Sequence, residues 1–332
     1  MASSDSKKPG AFSHRMMWLA VAIVVMIAAY VAGWHYVANR VHVEATTAIA
    51  GMNREGRRAN CENTDVRGFP FRIGVFCRSV LYEDARAGIG FRARELRSAA
   101  QVYAPQRVVA ELEGPALVEI PGLNALDVNW SSLRAGARIA QPIPDLVSLE
   151  AHDLRASLDS EPANGTSLLS MERAEFHMRP TGRDLDLAIR FSGLRADPSA
   201  LGGRLLPPMQ GLADIVVDGG VDVLPGLTGL RGLSGTIRTL SLTLGGDEGA
   251  RVMGPFDIGL DGLINARLDV TVQNPRALAA TLAEIMPEAR GQIEAAFSGL
   301  VALGEEPTLP LIVNRGTVRM GFLTLGQIPP LD

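Results

Sequence analysis

The sequence predicts a mainly β protein of the β-rich α+β kind. One N-terminal transmembrane helix precedes a large curved antiparallel sheet with a few short helices and two weakly related halves. Three observations lead there. A single uncharged apolar run lies near the N-terminus, and period-two alternation of apolar and polar residues recurs through the rest. The chain also carries 35 glycines and 20 prolines with only 5% aromatic residues, a turn-rich composition whose core must come from aliphatic side chains.

Met17 to Val37 contains no Asp, Glu, Lys or Arg. As a helix its 21 residues rise about 30 Å, enough to cross a hydrocarbon core. Trp18, Trp34 and Tyr36 stand near its ends, where amphipathic rings favour the interface. A cleaved signal peptide would have a shorter apolar core ending in small residues, whereas this run ends in aromatic ones. Lys7, Lys8 and Arg15 precede it, so the positive-inside rule keeps residues 1–16 cytoplasmic and sends the rest across. Residues 38–60 are polar and mildly helical, with Val41, Ala45, Ala48 and Met52 loosely on one face; they read as a stalk, and residues 61–332 as a periplasmic β-rich domain.

The domain opens with CENTDVRGFPFRIGVFC, which holds both cysteines, Cys61 and Cys77. Phe69, Phe71, Ile73, Val75 and Cys77 alternate with other residues in a half-buried strand pattern. After export into an oxidising compartment, two cysteines at this spacing predict a structural disulfide of about 3 kcal/mol. No His or third Cys lies nearby to complete a zinc site, and the spacing is not that of a redox C-x-x-C pair.

Strand patterns continue over Val102–Ile120 and Leu146–Leu158. Leu168, Ala174, Phe176 and Met178 share a face, as do Leu185, Leu187, Ile189 and Phe191 after the turn at Thr181–Asp184, so these two segments read as a hairpin. Arg238–Leu244, Gly254–Leu260 and Ile264–Val272 repeat the alternation, and Leu311–Leu325 turns back at Asn314–Gly316. The segments from Leu185 and from Leu268 resemble each other. Each opens a strand with Leu-Asp and then reaches Pro-x-Ala-Leu, at Pro198 and Pro275. In the second, Asn274 caps a short helix and Pro275 takes its first position.

Motifs for chemistry are sparse. Gly88, Gly90 and Ala93 fit a dinucleotide fingerprint in spacing but stand in strand-and-turn sequence, where that motif has no helix to open. Glu83-Asp84, Asp247-Glu248 and Glu305-Glu306 are adjacent pairs, which on a strand point to opposite faces. His152 and His177 are isolated. Lys7 and Lys8 are the only lysines. The chain beyond Arg15 carries −6, because the total is −4 and the first fifteen residues carry +2. An acidic body without a basic stripe excludes a nucleic-acid partner. No catalytic, metal-binding or cofactor-binding residues are assigned.

Cys61-Glu62-Asn63, the run Val66 to Arg72 and Val75-Phe76-Cys77 resemble the start of an alphaproteobacterial family, domain of unknown function 2125. Asn314-Arg315-Gly316, Gly321 and Ile328-Pro329-Pro330-Leu331 resemble its closing hairpin. The resemblance implies a membrane-anchored envelope protein and carries over no catalytic residue.

The expected protein is therefore single-pass in a bacterial inner membrane and non-catalytic. Its expected partners are the inner membrane, a lipid or other apolar ligand held in a β-groove, and envelope proteins. A scaffold in an envelope complex is the alternative, and a hydrolase with an unrecognised site the third. Amphipathic strands read alike whether they line an open groove or a closed core.

Overall fold

A 44-residue helix, α1 (Ala11–Arg54), begins the computed structural model, which describes residues 11–54, 57–122, 124–158, 167–224, 229–321 and 323–331. It contains the whole apolar run and is long and apolar enough to cross a membrane. Lys7, Lys8 and most of the 1–16 tail lie outside the described residues. The helix does not reach residue 60 as a helical stalk would. Asn53 exchanges hydrogen bonds with the backbone of Ala59, at 2.7 and 3.1 Å, and the chain doubles back as β1 (Arg57–Cys61). Arg57 and Arg58 there pair with Asp84 and Glu83 on the neighbouring strand, so cross-strand partners select extended backbone over further helix.

The sheet continues through β2 (Asp65–Arg67), β3 (Arg72–Cys77), β4 (Val80–Asp84), β5 (Ile89–Ala93), β6 (Leu96–Gln101), β7 (Ala104–Leu112), β8 (Ala116–Glu119), β9 (Leu126–Asn129) and β10 (Ser132–Arg138). These short strands are halves of longer ones. β3 pairs with β6 and β4 with β5 in one register, as Cys77↔Leu96 and Val80↔Ala93. Likewise β1–β2, β5–β6, β7–β8 and β9–β10 each run on across a bend of two or three residues. The bends lie side by side, joined by Glu62 N–H to Ser79 O (3.0 Å) and Glu113 N–H to Glu95 O (2.9 Å).

Unbroken strands follow: β11 (Leu146–Leu158), β12 (Ser167–Thr181), β13 (Asp184–Ala196), β14 (Met209–Val217), β15 (Ser234–Leu244), β16 (Gly249–Ile258), β17 (Ile264–Gln273), β18 (Thr308–Asn314), β19 (Thr317–Met320) and β20 (Leu323–Gln327). From β10 onward each pairs antiparallel with the next in sequence. Among the described residues the body is one antiparallel meander of 20 strands that does not close on itself.

Among the described residues three α-helices interrupt the meander: α2 (Gly220–Val223), α3 (Pro275–Ile285) and α4 (Arg290–Ala302). Pro275 opens α3, and the Asn274 side chain accepts from Ala277 N–H as its cap, as the sequence predicts. The related segment at Pro198 makes only a 3₁₀ turn capped by Asp197. β13 and β17 run the same way, since three antiparallel pairings separate β13 from β16 and a fourth reaches β17. Both connections therefore leave the same rim, where Arg204 and Glu288 form an ion pair.

Burial is thin. Among the described residues no large side chain is fully buried. The molecule exposes 21349 Å², against about 13,000 Å² for a compact globule of its mass. The bare apolar length of α1 and the half-exposed aliphatic side chains of the sheet contribute to the difference.

Candidate functional site: the apolar face of the sheet

Antiparallel pairing puts opposed residues on one face, so the register identifies what each face presents. Ala110 opposes Ala135, which opposes Leu149. The row continues through Phe176, Ile189, Ala213 and Leu240, then Val252, Val270 and Leu309. Ten strands contribute ten apolar residues. At about 4.8 Å per strand the row is roughly 43 Å long. The neighbouring row is of the same kind: Leu112, Leu133, Ala151, Ala174 and Phe191, then Gly211, Leu242, Ala250 and Val272.

The opposite face is charged. Arg97, Glu111, Arg134, Glu150, Glu175 and Arg190 are successive partners across it. Arg134 reaches Glu111 at 3.4 Å, and Arg173 reaches Glu150 at 2.6 Å. Hydrogen bonding from His152, joined by the Arg173 charge, holds the Glu150 carboxyl below its ordinary range. Asp186 belongs to this face. Burial opposes its charge, but Thr181, Arg179 and Arg238 outweigh that and lower its pKa.

Two clusters among the described residues cover parts of the apolar face, and Ile258, Ala266 and Val313 at the far end of the same face are buried as well. At the first, Trp34 and Ala38 of α1 pack on Ile73, with Val41, Val66 and Ala100 around them. At the second, Ile143, Val221 and Leu224 fold over Met178, Leu185 and Val217. Between and beyond them Ile189, Leu240 and Leu242 remain 48%, 42% and 44% exposed. Aliphatic side chains on half of a strand face normally meet a second layer; these meet none among the described residues.

Cys61 and Cys77 form a disulfide with Cα atoms 5.2 Å apart. They lie on either side of the line of bends. Below it the odd-numbered Ile73, Val75 and Cys77 are apolar. Above it the even-numbered Val80 and Tyr82 are, opposite Cys61 and Ala59. The two parities meet in one S–S bond, so the bend returns apolar side chains to the same face, as strand irregularities do when they re-aim side chains.

The residues singled out for chemistry do not assemble. Glu83 pairs with Arg58 and Arg92, and Asp84 with Arg57; a hydrogen bond from Ala87 N–H also lowers the Asp84 pKa. Glu248 accepts from Thr281, and His152 meets Glu150 at 2.9 Å. Gly88 lies in the turn before β5 and no helix follows it. His177 opposes Ser148 at the edge of a hollow of about 460 Å³ on the charged face, floored by Ala99, Val109 and Gly136. Among the described residues no three His, Cys, Asp or Glu side chains gather as metal ligands. Sequence reasoning found the alternation but not its continuity, because the residues of one row are scattered over 200 positions and only the register aligns them.

No curated protein matches the chain. A family model described as "Uncharacterized protein conserved in bacteria" matches residues 34–329, from the turn of α1 that first touches the sheet to the end of the body. The chain belongs to that family, DUF2125.

Proposed function

We propose that this is a membrane-tethered envelope protein that holds lipid acyl chains along the apolar face of its sheet. The observation that carries this reading is the uninterrupted apolar row from Ala110 to Leu309, half exposed at its centre. An acyl chain requires apolar area and few fixed polar groups, which is what that face offers. The face also begins where α1 packs on Ile73 and Ala100, so it adjoins the helix that tethers the body to the bilayer. Lys7, Lys8 and Arg15 support a cytoplasmic N-terminus and a periplasmic body in the inner membrane.

The test uses the full chain in nanodiscs doped with a phospholipid that carries a diazirine on its acyl chain. Crosslinks should fall on Leu187, Ile189 and Phe191 rather than on Ala188 and Arg190. Crosslinks confined to α1 and its adjoining turns would refute the reading.

A second reading, a scaffold for envelope proteins, draws support from β20. All five of its residues are exposed, and among the described residues it pairs along one edge only, with β19. Its other edge can accept a strand from a partner. Crosslinking from membranes through position 325 should then capture a discrete partner that Leu325→Pro abolishes.

A further inference from the structure

We infer that the rim formed by the first two helix-side turns, 68–71 and 102–103, is a docking edge for an anionic lipid surface. Its apolar tips would sit in the interfacial layer and its arginines against headgroup phosphates. This rests on α1 crossing the bilayer and is independent of whether the apolar face carries acyl chains.

The position follows from the reversal of the chain at Arg54. β1 and β2 return alongside the outer half of α1, so the turn after β2 lies beside the middle of the helix. Tyr30 O–H donates to Pro70 O, and Trp34 Nε1–H donates to Arg72 O at 3.0 Å. The Phe69 ring meets Trp34 edge-on at 5.5 Å. The second turn is tied to the first through Val102 N–H to Phe71 O, 3.0 Å. Tyr30 precedes Val37, the end of the uncharged run, by seven residues, or about 10 Å along the helix. A turn fixed at Tyr30 therefore lies at the depth reached by interfacial segments, about 5–10 Å into the headgroup and acyl boundary.

The side chains suit that depth. Phe71 and Tyr103 are 68% and 76% exposed, and Phe69 and Val102 accompany them. Immediately behind the tips stand Arg72, Arg107 and Arg138, all exposed. None of the three makes an ion pair among the described residues, although Arg97, Arg134, Arg173 and Arg179 on the same sheet all do. Arg107 and Arg138 are direct cross-strand partners. Like charges so placed repel, and an anion bridging them removes the cost. Phosphate is an acceptor that guanidinium groups match in bidentate geometry, and phospholipid headgroups on the side of the body supply it.

The test labels single introduced cysteines with an environment-sensitive fluorophore, in the full chain in nanodiscs. The native cysteines are both disulfide-bonded and leave only the new thiol free. Labels go on Val102→Cys at the rim, Arg86→Cys at the opposite end of the strands, and Val24→Cys in the helix. A lipid bearing a nitroxide near its headgroup serves as quencher. Loss of emission at 24 and 102 but not at 86 supports the docking edge. Loss at 24 alone overturns it while leaving the membrane span intact, and loss at none of the three overturns both. The arginines are tested with Arg107→Gln/Arg138→Gln. Quenching at 102 should exceed its phosphatidylcholine level when phosphatidylglycerol is present, and this excess should vanish in the variant. Equal quenching of the parent in both lipids refutes the arginine role.

Discussion

Replacing Ile189 and Leu240 together by serine should weaken acyl binding without unfolding the sheet. The two residues oppose Ala213 from either side, about 10 Å apart across one intervening strand. They are 48% and 42% exposed, so a bound chain covers a little under half of each. Full burial of such a side chain is worth roughly 1.5–3 kcal/mol, which leaves about 1 kcal/mol for each residue. The pair then contributes about 2 kcal/mol, or roughly 30-fold in affinity. The assay titrates dioctanoyl phosphatidylglycerol into the full chain in amphipol and reads occupancy by native mass spectrometry. Arg190→Ser, on the opposite face of the same strand, should leave affinity unchanged. Equal affinity of parent and double variant, or an equal loss from Arg190→Ser, refutes the reasoning.

Three further outcomes follow from the body of the protein. Reducing the Cys61–Cys77 bond should lower stability by about 3 kcal/mol, seen as a lower urea midpoint; equal midpoints with and without reductant contradict this. Asp186 is 14% exposed and bonded to Thr181 at 2.8 Å and Arg238 at 2.9 Å, so Asp186→Asn should cost about 1–3 kcal/mol at neutral pH. Its pKa is lowered in the folded state. Its stabilisation is therefore present above the unfolded value of about 3.9 and lost as pH falls through the folded one, so the parent and Asp186→Asn denaturation midpoints should converge below about pH 3.9. Gly211→Ala sets a carbon 2.4 Å from a ring carbon of Phe191 and should lower the melting temperature through a loss of about 1–3 kcal/mol. An unchanged melting temperature would show that the ring swings aside freely.

Much of this fold is legible in the residues. The 181–184 turn lies between β12 and β13 as alternation places it, and Asn274-Pro275 opens α3 as its capping chemistry dictates. The C-terminal reversal falls at Arg315 and Gly316, both with positive φ. Phe69 and Phe71 continue the period of β3 in sequence yet lie outside it. Phe69 is taken by the Trp34 ring, a contact 35 positions away that periodicity cannot register. The bends at 78–79 and 94–95 escape notice for a related reason: each is a local irregularity whose effect appears only when five neighbouring strands bend together. Whether the strands line a core or an uncovered face is the least legible point. An apolar residue on every second position satisfies both, and the lack of a second layer among the described residues leaves no mark on the strands themselves.

The meander has a consequence for how the chain is made and how its length can vary. Every strand leans on its sequence neighbours, so no pairing waits for a distant segment to arrive. Hairpins can add one after another as the polypeptide emerges, with α1 and the first turns as a template already in place. Low sequence separation of contacts favours rapid formation of this kind, and stability in such an array is close to a sum over adjoining units. Deleting the β12–β13 hairpin should accordingly shorten the sheet by two strands, with the free edges of β11 and β14 able to rejoin.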